Sequence, residues 1–331
     1  MQAVDEIVLN RVNSWLMEKK QCWLATVVET WGSSPRPIGS LFACDETGQM
    51  EGSLSGGCVE EDLLEKLVNG ELAKTEIQEF MYGVTSEEAE KFGLPCGGTL
   101  NTIIEPLQPN QKTINHFQDL IARVNNRRNI RRTVNVALGT YACEATEDRE
   151  PLSWNAEDKV LRQTYGPQFQ LFIIGAGMVS KYLSEMALML DYEVTICDPR
   201  EEFIKEFDIE GVHLINDMPD DAVKRQANDP ATAIVALTHD PRIDDMGLME
   251  ALKTEAFYIG AMGSSRTSAS RRERLTQLDL TKDHISRLHA PIGLPIGSKT
   301  PPEIAIAILA EITAVRKNPN EAMPLASLEN L

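Results

Sequence analysis

Short apolar runs broken by glycine and proline fill the first half of the chain. CWLATVVETW (22–31) has the composition of a buried strand, and LFACDETGQMEGSLS (41–55) predicts a hairpin turning at Glu46–Gly48. VEEDLLEKLVNG (59–70) has helical spacing, and GGTLNTIIEPL (97–107) predicts a strand that stops at Pro106. A helix over 111–125 follows, then strands in TVNVALGTYAC (133–143) and KVLRQTY (159–165). Near residue 168 the grammar changes. LFIIGAG (171–177) is a near-continuous apolar strand, and MVSKYLSEMALMLD after it places Val179, Leu183, Met186 and Leu190 on one helical stripe. Further strands in YEVTICDPR, HLIN, TAIVALTHD and FYIGAMG alternate with helical stretches such as DMGLMEALKT and SRTSASRRERLTQL. The expected architecture is α/β. A mixed α+β domain over 1–168 precedes a Rossmann-like, doubly wound parallel-sheet domain over 169–316, with 317–331 a loose tail.

Composition narrows the function classes. The 331 residues are 42% hydrophobic and 25% charged, as in a soluble globular protein of two domains. No apolar run reaches membrane-spanning length, and the N-terminal segment has the pattern of an amphipathic helix rather than a secretion signal, so a cytoplasmic location is expected. A net charge of −18 argues against nucleic acid as a partner. The six cysteines form no CxxC pair and match neither a disulfide framework nor a zinc site. Cys22, Cys44, Cys143 and Cys197 lie in strand-like runs and are expected in the core, whereas Cys58 directly follows Gly56 and Gly57 at a predicted helix start. Two arginine groups stand out. Arg127, Arg128, Arg131 and Arg132 are expected in a solvated loop. Arg271, Arg272 and Arg274 are expected on a surface helix, one and two turns beyond Arg266.

Gly175, Gly177 and Ser180 make GxGxxS at a strand-to-helix junction, with Asp198 closing the next strand. The glycines allow a tight turn and close approach of a pyrophosphate; the acid can accept hydrogen bonds from ribose hydroxyls. Thr238, His239 and Asp240, then Gly263, Ser264 and Arg266, then Lys299 and Thr300, should lie beyond the carboxyl ends of the same sheet. Ser264 and Arg266 at a helix start, and Lys299 before another, are candidate anion contacts. His239 is equally a candidate general base or a structural histidine, and His289 reads as structural. In WGSSPRPIGS, two prolines stiffen a turn around Arg36, which suits a phosphate or a plain solvated turn. On the fingerprint alone, a nicotinamide-dependent oxidoreductase using Asp198 for NAD and His239 as acid/base is one alternative.

Taken together, GSSPRPIGS (32–40), GSLSGGCVEEDLL (52–64), GLPCGGTLNTIIEPL (93–107), IIGAGMVS (173–180), LTHDPRIDD (237–245), YIGAMGSSRT (258–267) and RLHAPIGLPIGSKTPPEIAIAILAEI (287–312) resemble the XdhC/CoxI family. The resemblance implies cytoplasmic, often dimeric chaperones that bind molybdenum cofactor, as molybdopterin or its cytosine dinucleotide, and protect its sulfurated form. Such proteins hand the cofactor to an apo-molybdoenzyme of the xanthine dehydrogenase or aldehyde oxidoreductase type. They work with a cysteine desulfurase and are assembly factors rather than catalysts. Against that background Cys58, framed by Gly56 and Gly57, and Cys96, followed by Gly97 and Gly98, are candidate ligands of molybdenum or carriers of sulfur. The alternative is that both are small residues in tight turns.

Overall fold

A computed structural model describes residues 3–31, 36–83, 98–146, 152–278 and 280–317. The first run becomes β1 (Cys22–Trp31), at the centre of an antiparallel sheet ordered β3-β2-β1-β5-β4, with β2 Leu41–Asp45, β3 Met50–Gly52, β4 Gln78–Tyr82 and β5 Thr99–Leu107. Both faces of β1 are covered, which is why its sequence is apolar almost throughout. Cys22 and Leu24 face α1 (Ala3–Met17) and α3 (Gln111–Asn125) through Leu9, Trp15, Phe117 and Leu120. On the other face, Trp23, Ala25 and Val27 meet α2 (Cys58–Val68) through Val59, Leu63 and Leu67. β5 does not stop at Pro106: the proline pairs with Trp23 and the strand ends at Leu107. β4 reaches only to Ile104, so Pro106 is paired on one side, where a residue lacking an N–H is tolerated.

A second antiparallel sheet, β7-β6-β9-β8, is built from β6 (Ile130–Asn135), β7 (Thr140–Ala145), β8 (Leu152–Asn155) and β9 (Val160–Tyr165). Residues 133–143 are therefore a hairpin, not one strand; the turn contains Gly139 with φ +63°. The expectation of a solvated arginine loop holds for the turn at Arg127 and Arg128, half-buried and exposed, and fails for Arg131 and Arg132, which lie in β6. β6 alternates inward and outward, and Ile130, Arg132 and Val134 point inward. Arg132 is 2% exposed, with its guanidinium donating to both carboxylate oxygens of Glu105 at 2.7 Å and its Nε to His116 Nε2 at 2.9 Å. Val28 and Ile103 of the first sheet pack on Val134 and Leu161 of the second.

The chain divides into two units, Met1–Pro167 and Gln168–Leu331. The second holds an all-parallel sheet of β10 (Gln170–Ile174), β11 (Glu193–Cys197), β12 (Val212–Ile215), β13 (Thr232–Ala236), β14 (Tyr258–Ala261) and β15 (Leu288–His289). Its order, β12-β11-β10-β13-β14-β15, is 3-2-1-4-5-6 within the unit. That is the Rossmann order, with the switch point between β10 and β13. Residues of β10 and β13 are buried on both faces. α4 (Met178–Met189) follows β10, a short α5 (Glu201–Lys205) follows β11, and α6 (Pro219–Gln226) and α7 (Pro241–Ala251) flank β13. After β14 come α8 (Ser265–Thr276) and a short α9 (Lys282–Ser286), and α10 (Pro301–Lys317) follows β15. α4 and α10 cover one face of the sheet, and α6 and α7 the other. The buried side of α4 is Val179, Ser180, Leu183, Ser184 and Ala187. Leu190, expected on that stripe, lies one residue beyond the helix and is exposed, because the chain turns there at Asp191 (φ +60°) to enter β11. Cys22, Cys44 and Cys197 are core residues, whereas Cys143 is only half-buried at the outer strand β7.

Candidate functional site

In the first unit, Cys58 is the first residue of α2. The loop before it closes around Glu60, whose carboxylate accepts from the N–H groups of Leu54 (2.7 Å), Ser55 (2.7 Å), Gly56 (3.0 Å) and Gly57 (2.9 Å). The hydroxyls of Ser53 and Ser55 add two more donors, at 2.8 and 2.9 Å. Gly56 holds φ +90°, which lets successive N–H groups converge on one point. Burial pushes the Glu60 carboxyl up, but the converging donors outweigh it and bring its pKa down to about 2. The N–H groups of Gly56 and Gly57 that would favour a Cys58 thiolate thus already serve an internal anion. Gly98 is buried just before β5, and Arg36 is half-buried beyond β1. Cys96, Gly97, Ser33 and Ser34 lie outside the described residues.

In the second unit the glycine turn sits at the switch point. Gly175 has φ +108°, and a Cβ there would stand 2.8–3.0 Å from Thr238, so the β10 turn and the β13 end touch backbone to backbone. Ser180 explains the small third position: its buried hydroxyl donates to the Gly175 carbonyl at 2.6 Å. Gly177 is the N-cap of α4, which has no side-chain cap, and a Cβ at Gly177 would meet nothing within 4 Å. Open space in front of an uncapped, twelve-residue helix fits the phosphate or pyrophosphate of a nucleotide-like cofactor. Asp198 is placed differently from the ribose-binding expectation. It is fully buried and accepts from Ala176 N–H (2.9 Å), Arg200 N–H (3.0 Å) and the Arg200 guanidinium (2.9 and 2.7 Å). Burial raises its pKa, but the Arg200 bonds and the Ala176 N–H outweigh it, leaving the carboxyl below its ordinary value. The guanidinium also lies 3.9 Å from the Phe203 ring centroid. Asp198 therefore ties the second strand to the glycine turn and has no acceptor free for ribose.

His239 does reach the rim: it is exposed, with φ +62°, between buried Thr238 and half-buried Asp240. Asp240 caps α7 by accepting from Arg242 N–H at 2.9 Å. Thr238 is held by Asp244, which accepts from its hydroxyl (2.7 Å) and its N–H (3.1 Å). Arg271, expected at the surface of α8, is 2% exposed. It donates to Asp244 (2.9 Å), Asp245 (3.0 Å) and the Met262 carbonyl (2.9 Å), so this buried ionic tie fixes the β13 and β14 loops. Ser264 caps α8 by accepting from Thr267 N–H; Gly263 precedes it, and Arg266 is exposed at the helix start. Lys299 and Thr300 lie before α10, but their N–H groups donate to Glu303 at 2.8 and 2.9 Å. Only the N-terminus of α4, among the candidate helix starts, lacks an internal side-chain cap. His289 is structural as expected: Nδ1 lies 2.9 Å from Glu311, which also accepts from Tyr258 (2.6 Å) and Gly293 N–H (2.6 Å).

With these features in place, comparison with known proteins decides the family. The family model described as XdhC and CoxI family matches residues 15–80, and the XdhC Rossmann domain model matches residues 171–312. The chain belongs to the XdhC/CoxI family. Among its relatives, the molybdenum cofactor insertion chaperone PaoD of Escherichia coli strain K12 is 26% identical over 310 residues, covering 92% of this chain and 87% of that protein. A probable xanthine dehydrogenase subunit of Bacillus subtilis strain 168 is 24% identical over 330 residues, covering 92% and 96%. A crystal structure of a xanthine dehydrogenase from Bacillus halodurans shares the fold, with TM-score 0.69 at 24% identity over 96% of this chain and 98% of that one.

Several residues hold the two sites or the layers around them in place without standing out in the sequence: Glu60, Arg200 and Asp244 at the sites, and Glu105 and Glu311 in the packing behind them. Glu60 carries a usable signal, because an acid at the third helical position after a glycine start is the reaching-back half of a capping box. Glu105 and Arg132 carry none, since their pairing depends on how two sheets face each other.

Proposed function

We propose that this chain is a cytoplasmic assembly factor that binds molybdenum cofactor, keeps it sulfurated and delivers it to an apo-molybdoenzyme of the xanthine dehydrogenase type. The similarity to a molybdenum cofactor insertion chaperone over 92% of the chain carries the reading. The glycine turn supports it: the uncapped N-terminus of α4 and the space at Gly177 suit the anionic part of a molybdopterin or its cytosine dinucleotide. Around that anchor, Gly175 sets the turn, Ser180 packs α4 against it and Asp198 holds the Ala176 N–H in place. His239, Gly263, Ser264, Arg266 and Lys299 follow the carboxyl end of the same sheet and would contact the remainder of the ligand. The cofactor would supply molybdenum and its sulfur; in the first unit, taken by itself, Cys58 and Cys96 are the candidate sulfur ligands and Arg36 a candidate contact for an anionic group.

A cysteine desulfurase would supply the sulfur, and the chain would act as a homodimer. The oxidoreductase alternative loses its main support, because Asp198 has no lone pair left for an NAD ribose without breaking its bonds to Arg200 and Ala176. The delivery reading is tested by reconstitution. Apo-molybdoenzyme mixed with cofactor-loaded chain should gain activity faster and to a higher level than with free cofactor, and Cys58→Ala or Cys96→Ala should lower that gain while circular dichroism stays unchanged. Equal reconstitution with and without the chain would reject delivery, and unchanged reconstitution in both variants would reject the thiol role.

A further inference from the structure

In the first unit, β1, β5 and β4 bring together a polar cluster unused by the sites above. A register shift between Val27 and Glu29 in β1 sets Glu29 directly opposite Asn101 of β5, which in turn pairs with Met81 of β4. Such a bulge re-aims a side chain. Asn101 is 1% exposed, and its Nδ2 donates to Glu29 Oε2 at 3.0 Å and to Glu79 Oε1 at 2.8 Å. Two carboxylates are thus bridged by one amide. Lys159 donates to the other oxygen of Glu79 at 2.6 Å, whereas Glu29 has no cationic partner among the described residues. Burial raises the Glu79 carboxyl, but Lys159 and Asn101 outweigh it and hold it below its ordinary value. The amide cannot be turned over, since its oxygen would then face both carboxylates. Asn101 Oδ1 is left buried with no hydrogen-bond partner, an acceptor removed from water without compensation.

Two residues on from Glu29 along the strand, and so on the same face, Trp31 holds its side chain half in solvent, 51% exposed. Met81 is exposed beside Asn101. Deeper along this face, Val28, Ile103, Val134 and Leu161 close the layer between the two sheets. The cluster therefore lies at the mouth of that layer. What it offers a ligand is a flat aromatic surface and a half-buried carboxylate without a cationic partner among the described residues: an acceptor in need of donors. A planar heterocycle with an amino group next to a ring N–H has that complement, since a carboxylate can take both hydrogens side by side while an indole stacks on the ring.

We propose that Glu29, Asn101 and Trp31 form a subsite for the 2-amino-4-oxo edge of a pterin, with Glu29 accepting from the amino group and the ring N–H, Trp31 stacking, and Asn101 holding Glu29 in place. The proposal rests on the cofactor-binding reading for its choice of pterin; guanine shares the edge. The full-length chain is titrated calorimetrically with 6-hydroxymethylpterin and with guanosine, in the wild type, Glu29→Gln and Trp31→Ala. Thermal unfolding confirms that both variants fold. The expected result is pterin binding that weakens about tenfold in Glu29→Gln, the loss of one charge-assisted pair, and about fivefold or more in Trp31→Ala, with guanosine weaker than pterin. No binding of either heterocycle, or pterin affinity equal in all three proteins, overturns the subsite; guanosine binding tighter than pterin overturns the assignment to pterin. The molybdenum content of the same proteins separates this from the chaperone reading. Full cofactor retention by both variants removes the subsite and leaves the chaperone standing. Pterin binding by a wild type that never carries molybdenum does the reverse.

Discussion

Replacing Glu60 by Gln tests the most concentrated electrostatic feature of the first unit. Six donors, four of them consecutive backbone N–H groups, converge on this carboxylate. Its pKa falls from an ordinary 4.5 to about 2 in the folded protein. At about 1.4 kcal/mol per pKa unit, the ionised form contributes about 3 kcal/mol to folding. The sign follows from a depressed folded pKa: the contribution is complete above pH 4.5 and drains away as pH falls towards 2. Gln keeps the shape but removes the charge and turns an NH2 group towards N–H donors, so Glu60→Gln should lose about 3 kcal/mol at pH 7 and progressively less below about pH 4.5. All four tryptophans, Trp15, Trp23, Trp31 and Trp154, lie in this unit, so urea unfolding followed by tryptophan emission reports on it alone. Equal stabilities at about pH 7, or a difference that stays constant from about pH 4.5 to about 2.5, would refute the reasoning.

Other outcomes follow from the same kind of argument. Arg132→Met leaves Glu105 charged and unpaired at 1% exposure and should cost about 3–5 kcal/mol in the same urea assay, most of it recovered in Arg132→Met/Glu105→Met. Burial first, then Arg132 and Lys112, lower the His116 pKa to about 3, so its NMR ring signals should not titrate between about pH 5 and 8. Gly175→Ala forces a Cβ to 2.8–3.0 Å from Thr238 at φ +108° and should destabilise the second unit by about 2 kcal/mol or more in thermal unfolding followed by circular dichroism. Gly177→Ala enters open space; it should leave the melting temperature within a degree or two while weakening cofactor retention.

Legibility in the sequence follows the range of the interaction. The Rossmann unit is readable because its strands are buried on both faces and its glycine turn is local: Gly175, Gly177 and Ser180 act within one turn of chain. The hairpin in 133–143 is hidden because apolar composition continues straight through the Gly139 turn. The arginines are hidden for a deeper reason. Local sequence makes Arg132 and Arg271 look solvated, and only the facing carboxylates, Glu105 on another sheet and Asp244 and Asp245 on another helix, bring them inside. Asp198 shows the same limit within the site. Its position after β11 is legible, but its capture by Arg200, two residues on, depends on the guanidinium folding back over Phe203. Glu29 becomes visible as a site residue only through the β1 bulge, which shifts the strand register.

The central claim is tested most directly by what the protein carries. The chain should be expressed where molybdenum cofactor is made, purified without oxygen and assayed for molybdenum by elemental analysis and for pterin by fluorescence after oxidation. The account predicts molybdenum and pterin together, near one of each per chain and released on denaturation. A folded protein that carries neither, or that carries NAD in their place, would contradict it.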